Sequence, residues 1–105
     1  MKKLNKILIL VIVIQFVFIH AENLNAQWVE TTQSFGIIRS ININDSSIYL
    51  GTLINGIYKS NNNGQSWTQI NSGFSSLYTK SIIESTPYLF SINSDSVYRS
   101  DNYGQ

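Results

Sequence analysis

The sequence predicts an all-β fold built from a repeated unit of short antiparallel strands. Three observations predict it. Beyond residue 26 no window of eleven residues carries apolar side chains at helical spacing, and Ser and Asn are too frequent for a helix. β-Branched and aromatic runs of four to seven residues alternate with turns rich in Asn, Ser and Gly. The phrase Gly56–Gln65 (GIYKSNNNGQ) returns without a gap 40 residues later as Ser96–Gln105 (SVYRSDNYGQ), with five of ten residues identical.

The first 26 of the 105 residues stand outside this pattern. Lys2, Lys3 and Lys6 precede a run, Ile7 to Ile19, that is apolar except for Gln15. A short mixed segment follows and ends on Ala26. A charged start, an apolar middle and a small residue at the end predict a secretory signal peptide over 1–26. The apolar run falls short of the ~20 residues that cross a bilayer as a helix. Cleavage after Ala26 leaves a chain starting at Gln27, with Leu24 large for its place before the cut. The expected destination is therefore secreted or periplasmic, with no stable membrane span after cleavage. An uncleaved anchor is the alternative.

Residues 27–105 amount to one small domain. Arg39, Lys59, Lys80 and Arg99 stand against Glu30, Asp45, Glu84, Asp95 and Asp101, a net charge of −1. No basic patch points to nucleic acid. No cysteine is present, so export brings neither a disulfide nor a lipidated N-terminal cysteine. A small exported domain without such a staple is expected to need a partner.

Taken in order, Trp28–Thr31 predicts a first short strand, an extra N-terminal one. Ile37–Ile43 partly alternates and predicts the next. Asn44-Asp45-Ser46-Ser47 turns the chain, because Asx and Ser side chains bond local backbone. Ile48–Leu53 and Ile57–Ser60 follow as strands, with Asn55-Gly56 reading as a two-residue hairpin. Ser60–Trp67 turns again, and Trp67–Ile70 leads away. At the offset of 40, Ile43 meets Ile83, Ser46 meets Thr86, Leu50 meets Phe90, and Asn55-Gly56 meets Asp95-Ser96. The join repeats too: Trp28 is followed seven residues later by Phe35, and Trp67 by Phe74. A period near 40 with four short strands per unit is the signature of a β-propeller blade, stacked on its neighbours through both faces. The expected fold is thus a partial β-propeller after an N-terminal signal helix: one full four-stranded blade over about 37–70, three strands of a second over about 79–100, and one extra N-terminal strand.

Ser60-x-Asn62-x-Gly64-x-Ser66-Trp67 resembles the Asp-box, or bacterial neuraminidase repeat, whose pattern is Ser-x-Asp-x-Gly-x-Thr-Trp in a hairpin between the third and fourth strands of a blade. Ser60 and Asn62 can fold back onto turn amides. Gly64 can take a positive φ. Trp67 is expected to be buried over the turn. Asn62 stands where the pattern has aspartate and Ser66 where it has threonine, which keeps the turn chemistry and removes the carboxylate. Ser100-x-Asn102-x-Gly104 is a partial second copy, again with Asn. Similar repeats occur in sialidases, xyloglucan-degrading glycosidases, the sortilin ectodomain and photosystem II assembly-factor-like exported proteins. In those families the box lies at the blade periphery, so the resemblance implies fold and not chemistry.

The repeat breaks off two residues before its own tryptophan would come, and two blades do not close a ring. The expectation is a fragment of a longer propeller or a truncated reading frame, with self-assembly of short chains as the alternative. Among 27–105 there is no His, Cys or Met, which removes Ser-His-Asp and Cys-His catalysis and the usual zinc sites. A sialidase-like site needs three arginines, and only Arg39 and Arg99 are available. A glycosidase needs two facing carboxylates. Glu30, Asp45, Glu84, Asp95 and Asp101 qualify by type, but Asp45, Asp95 and Asp101 fall in predicted turns, where capping explains them. Tyr58 and Tyr98 are repeat-equivalent and read as packing residues, whereas Tyr103, in an exposed turn, reads as a contact residue. The functional expectation is a non-enzymatic, exported binding or scaffold module with a protein or glycan ligand and no cofactor, able to associate with further blades or copies of itself. The alternative is the N-terminal piece of an exported glycoside hydrolase whose catalytic residues lie beyond residue 105.

Overall fold

The β-branched and aromatic runs form strands wherever a neighbouring run can satisfy their backbone amides and carbonyls. A computed structural model describes residues 5–12 and 27–105. The chain divides into two units, Met1–Glu30 and Thr31–Gln105. In the first, residues 5–12 form a helix whose apolar side chains are exposed. No helix among the described residues is long and apolar enough to cross a membrane. The rest of the predicted leader, with its cleavage site at Ala26, lies outside the described residues. Trp28–Thr31, expected to be a strand, belongs to neither sheet. A short β-branched and aromatic run without a partner strand gains nothing from its propensity.

The second unit is all-β. Strands β1 (Ile38–Ile43), β2 (Ile48–Thr52), β3 (Ile57–Ser60) and β4 (Thr68–Gln69) make one antiparallel sheet in sequence order. Strands β5 (Thr79–Ser85), β6 (Tyr88–Asn93) and β7 (Ser96–Ser100) make a second. These are the predicted full four-stranded unit and the three strands of another.

Register corrects the repeat. Ile41 pairs with Leu50, and Ile82 with Ser91. Both first strands carry an irregularity at the same place, between Ile38 and Ser40 and between Thr79 and Ser81. The first two strands of each sheet therefore correspond at an offset of 41, so Leu50 matches Ser91 and not Phe90. Only the third strands keep the offset of 40. The lost residue comes from the connection between second and third strands. In the first sheet four residues, Leu53–Gly56, join β2 to β3, and Thr52 N–H donates to Gly56 O at 2.9 Å. Asn55-Gly56 is thus part of a longer loop and not a two-residue hairpin. The tight hairpin occurs in the second sheet, where Asn93 pairs with Ser96 around Ser94 and Asp95. Ser94 has the positive φ (53°) such a turn requires.

The sheets meet face to face, with β5 lying against β1 and β2. Tyr49 and Ile57 from the first and Ile82 and Leu89 from the second form the shared core, flanked by Ile70, Phe74 and Tyr103. The far face of the first sheet is covered by Phe35, which packs with Leu50, Tyr58 and Trp67. Consecutive apolar residues on β2 follow from this, because this strand is covered on both faces. The sheets approach closely at Gly51, where a Cβ would stand 2.7 Å from Thr79 Cγ2.

Candidate functional site

The turn nominated by the sequence is a closed set of local hydrogen bonds. Ser60 Oγ accepts from Gly64 N–H at 2.9 Å and donates to Asn62 Oδ1 at 3.0 Å. Asn62 Oδ1 also accepts from Ser66 N–H at 2.8 Å, and Asn62 Nδ2 donates to Ser66 Oγ at 2.7 Å. Asn63 and Gly64 both take positive φ, 57° and 83°. The second turn repeats these relations. Ser100 Oγ accepts from Gly104 N–H and donates to Asn102 Oδ1, each at 2.8 Å, and Tyr103 and Gly104 take φ of 54° and 79°. Asn102 Nδ2 here donates to Gln105 O at 2.6 Å. The asparagine is not a weakened aspartate in this setting: its amide nitrogen donates to Ser66, a bond that a carboxylate cannot donate.

Trp67 is half-buried rather than buried. Its Nε1 donates to Gly64 O at 3.1 Å, and its ring meets Phe35 edge-on at 5.1 Å. Phe35 meets Tyr58 in the same way at 5.1 Å, and in the second sheet Phe74 meets Tyr98 at 4.9 Å. Tyr98 Oη is hydrogen-bonded to Ser75 Oγ (2.7 Å), which lowers the phenol's pKa below its ordinary value. These bonds and ring contacts hold the turns in shape.

A second feature was not foreseen. A polar cleft of about 650 Å³ opens beside the first turn, lined by Asn44, Asp45, Tyr49, Lys59, Glu84 and Tyr103 among others. Lys59 is buried, with 9% of its surface exposed. Its Nζ lies 5.6 Å from the Tyr49 ring centre and 5.9 Å from that of Tyr103, and donates to Tyr103 O at 3.3 Å. Aromatic faces and a carbonyl thus take the place of a carboxylate partner, a contact worth about 0.5–2 kcal/mol depending on desolvation. Tyr103 is consequently half-buried against the core, not the free contact residue the sequence suggests. Burial pushes the Tyr49 phenol above its ordinary pKa, with Glu84 and Tyr103 adding to the rise and a Ser47 hydrogen bond opposing it.

Opposite Lys59, Asn44 Nδ2 donates to the Glu84 carboxylate across a sequence distance of 40. Asn44 Oδ1 holds its own turn by accepting from Ser46 and Ser47 N–H at 2.9 and 2.6 Å. The turn-capping role expected of the aspartates thus falls to Asn44, while exposed Asp95 pairs with Lys80 at 3.4 Å. Arg39 and Arg99 are exposed and lie over Tyr78 and Tyr88. Among the described residues, no three His, Cys, Asp or Glu side chains converge as a metal would require. The cleft brings together a recessed cation, hydrogen-bonding amides and tyrosine rings. Periodicity alone did not find it, because it joins turns from both sheets. No protein-family model matches the chain, and neither the curated proteins nor the solved structures contain a match.

Proposed function

We propose that this chain is an exported binding or scaffold module of the Asp-box β-propeller kind, with a protein or glycan ligand and no catalysis of its own. The observation that supports it best is the recurrence of one hydrogen-bond set at Ser60–Ser66 and at Ser100–Gln105, each closing the end of the third strand of a sheet. The resemblance to the Asp-box rests on these turn residues, and in that family they are structural. The polar cleft beside Lys59 and Glu84 is the natural place for a ligand's hydroxyl or carboxylate groups. Export rests on the charged and apolar leader over 1–26.

The test expresses the full chain with its own leader and recovers it by compartment. The expected product is found outside the cytoplasm with Gln27 as its first residue by mass spectrometry. It turns over no aryl glycoside. Cytoplasmic retention with Met1 intact would refute export, and robust glycoside turnover would refute the non-enzymatic reading.

A further inference from the structure

We propose that the end of the two sheets where β1 and β5 begin is a surface that lies against a bilayer of anionic phospholipid. Every residue that forms it belongs to the all-β unit.

The backbone places a pair of cations there. The irregularity in each first strand leaves one residue without a cross-strand partner: Arg39 between Ile38 and Ser40, and Lys80 between Thr79 and Ser81. A bulge of this kind turns its extra residue out of the ladder. The two positions are equivalent at the offset of 41, and both side chains are exposed. They gather on one tyrosine. Arg39 Nη2 donates to Tyr78 Oη at 2.8 Å, and Lys80 Nζ lies 5.7 Å from the Tyr78 ring centre. Lys80 also meets Asp95, but that contact is long at 3.4 Å and the Asp95 side chain is 95% exposed. An exposed pair of this kind holds its carboxylate weakly. Among the described residues Arg39 has no carboxylate partner.

Three aliphatic side chains stand at the same end, each from a different connection. Ile37, Ile54 and Leu77 are 60%, 67% and 41% exposed. Backbone bonds hold their segments together. Leu53 N–H donates to Ile37 O and Gly56 N–H to Leu77 O, each at 2.9 Å. The loop Leu53–Gly56 therefore sits between the residues that lead into β1 and β5. Ser94 N–H donates to Tyr78 O at 2.8 Å, which ties the β6–β7 hairpin to this end as well.

Aliphatic tips beside cations and a tyrosine suit the boundary of a bilayer. The tips enter among the headgroups, Arg and Lys reach the phosphates over apolar stems, and tyrosine sits at the boundary. Two cations against one weakly held carboxylate favour anionic headgroups. The opposite end of the strands is built differently. Its turns carry Asp45, Glu84 and Asp101, and the cleft beside Lys59 opens there. A second pocket, of about 350 Å³, is lined by Ile70, Phe74 and Tyr98 among others. Neither hollow includes Ile37, Arg39, Ile54, Leu77, Tyr78 or Lys80. What this end presents is loop tips, which suit a flat bilayer better than a peptide that needs a groove.

The chain lacks cysteine, so a single introduced one can carry an environment-sensitive fluorophore. Ile54→Cys places the label on the surface, and Gln65→Cys places it on an exposed residue at the opposite end. The full chain is mixed with vesicles of phosphatidylcholine, alone or with phosphatidylglycerol added. The expected result is a blue shift at position 54, well above that at 65, on the vesicles with phosphatidylglycerol. Arg39→Gln and Lys80→Gln should each raise the lipid concentration at half-shift about fivefold. Asp95→Asn should lower it. Arg99→Gln, the same change of charge at the opposite end, should leave it unaltered. Because the labels report which end meets the lipid, contact through residues 1–26 alone does not favour position 54. No shift at 54, an equal shift at 65, a shift that pure phosphatidylcholine matches, or one that survives Arg39→Gln combined with Lys80→Gln would overturn the proposal. A shift produced by soluble polyglutamate in place of vesicles would assign the surface to an acidic protein and overturn it too.

Discussion

Replacing Gly51 by alanine puts a methyl group where two sheets leave no room for one. The new carbon would stand 2.7 Å from Thr79 Cγ2, 3.1 Å from Ser40 Oγ and 3.3 Å from Ile82 Cδ1. Carbon atoms rest about 3.5–4.0 Å apart, so the closest pair must separate by roughly 1 Å. Neither side can swing away. Gly51 lies in β2, between two paired strands, and Thr79 is fully buried, its hydroxyl accepting from Asn93 Nδ2 at 3.2 Å. The strain therefore opens the contact between Tyr49, Ile57, Ile82 and Leu89. Overpacking of this kind costs about 1–3 kcal/mol, against a total on the order of 5 kcal/mol for a domain this size. Each kcal/mol lowers Tm by roughly 4–8 °C. Thr79→Ser deletes the clashing methyl and keeps the hydroxyl, at about 1 kcal/mol by itself. Combined, the two substitutions are expected to destabilise by about 1–2 kcal/mol less than the sum of the singles. Urea unfolding followed by tryptophan fluorescence and by circular dichroism measures all four corners of the cycle. A neutral Gly51→Ala, or strictly additive changes, would show that the sheets do not meet at this point.

The same unfolding assay checks the turns. Asn62→Ala leaves Ser60 Oγ and Ser66 N–H without their acceptor and is expected to cost about 1–2 kcal/mol. Asn62→Asp keeps that acceptor and lets the Ser66 hydroxyl donate instead, so its stability should stay within about 0.5 kcal/mol of the parent. Trp67→Ala removes the edge-on contact with Phe35 and the bond to Gly64 O. Because the ring is half-buried, it should cost about 2 kcal/mol, below the ~3–5 kcal/mol of a fully buried aromatic. Tyr49 sets an alkaline limit. Its folded pKa is raised, so between the ordinary value of 10.0 and the folded one the native state holds a proton that the unfolded state has released. Stability contributed by the neutral phenol is complete below pH 10.0 and falls as pH rises through that window. Unfolding curves taken across it should fall less steeply for Tyr49→Phe, and an identical slope in the two proteins would remove Tyr49 from the cause. The Tyr98 shift runs the other way, favouring the folded state as pH rises toward 10.0, so the comparison is made with Tyr98 intact in both.

How far the sequence could be read depended on the range of the interaction. Ser60, Asn62, Gly64 and Ser66 bond one another within four residues, so their types and spacing were enough to predict the turn and its second copy. Asn44 behaves likewise in its own turn. The strand order of both sheets was also legible, because each connection is short and each run pairs with the next. The 40-residue alignment failed over the first two strands because one loop is a residue shorter than the other. Identity was concentrated in the third strand and its turn, so the alignment carried that offset backwards.

The amino-acid order by itself determined the all-β class, the four-plus-three strands and the chemistry of the two turns, since these rest on local bonding and on the propensity of short runs. Only the tertiary structure decided which residues share a face, why position 51 is glycine, and that Lys59 is held between Tyr49 and Tyr103. Those outcomes depend on two sheets meeting at close range. Contact across such an interface is set by register and loop length, and no local pattern records it.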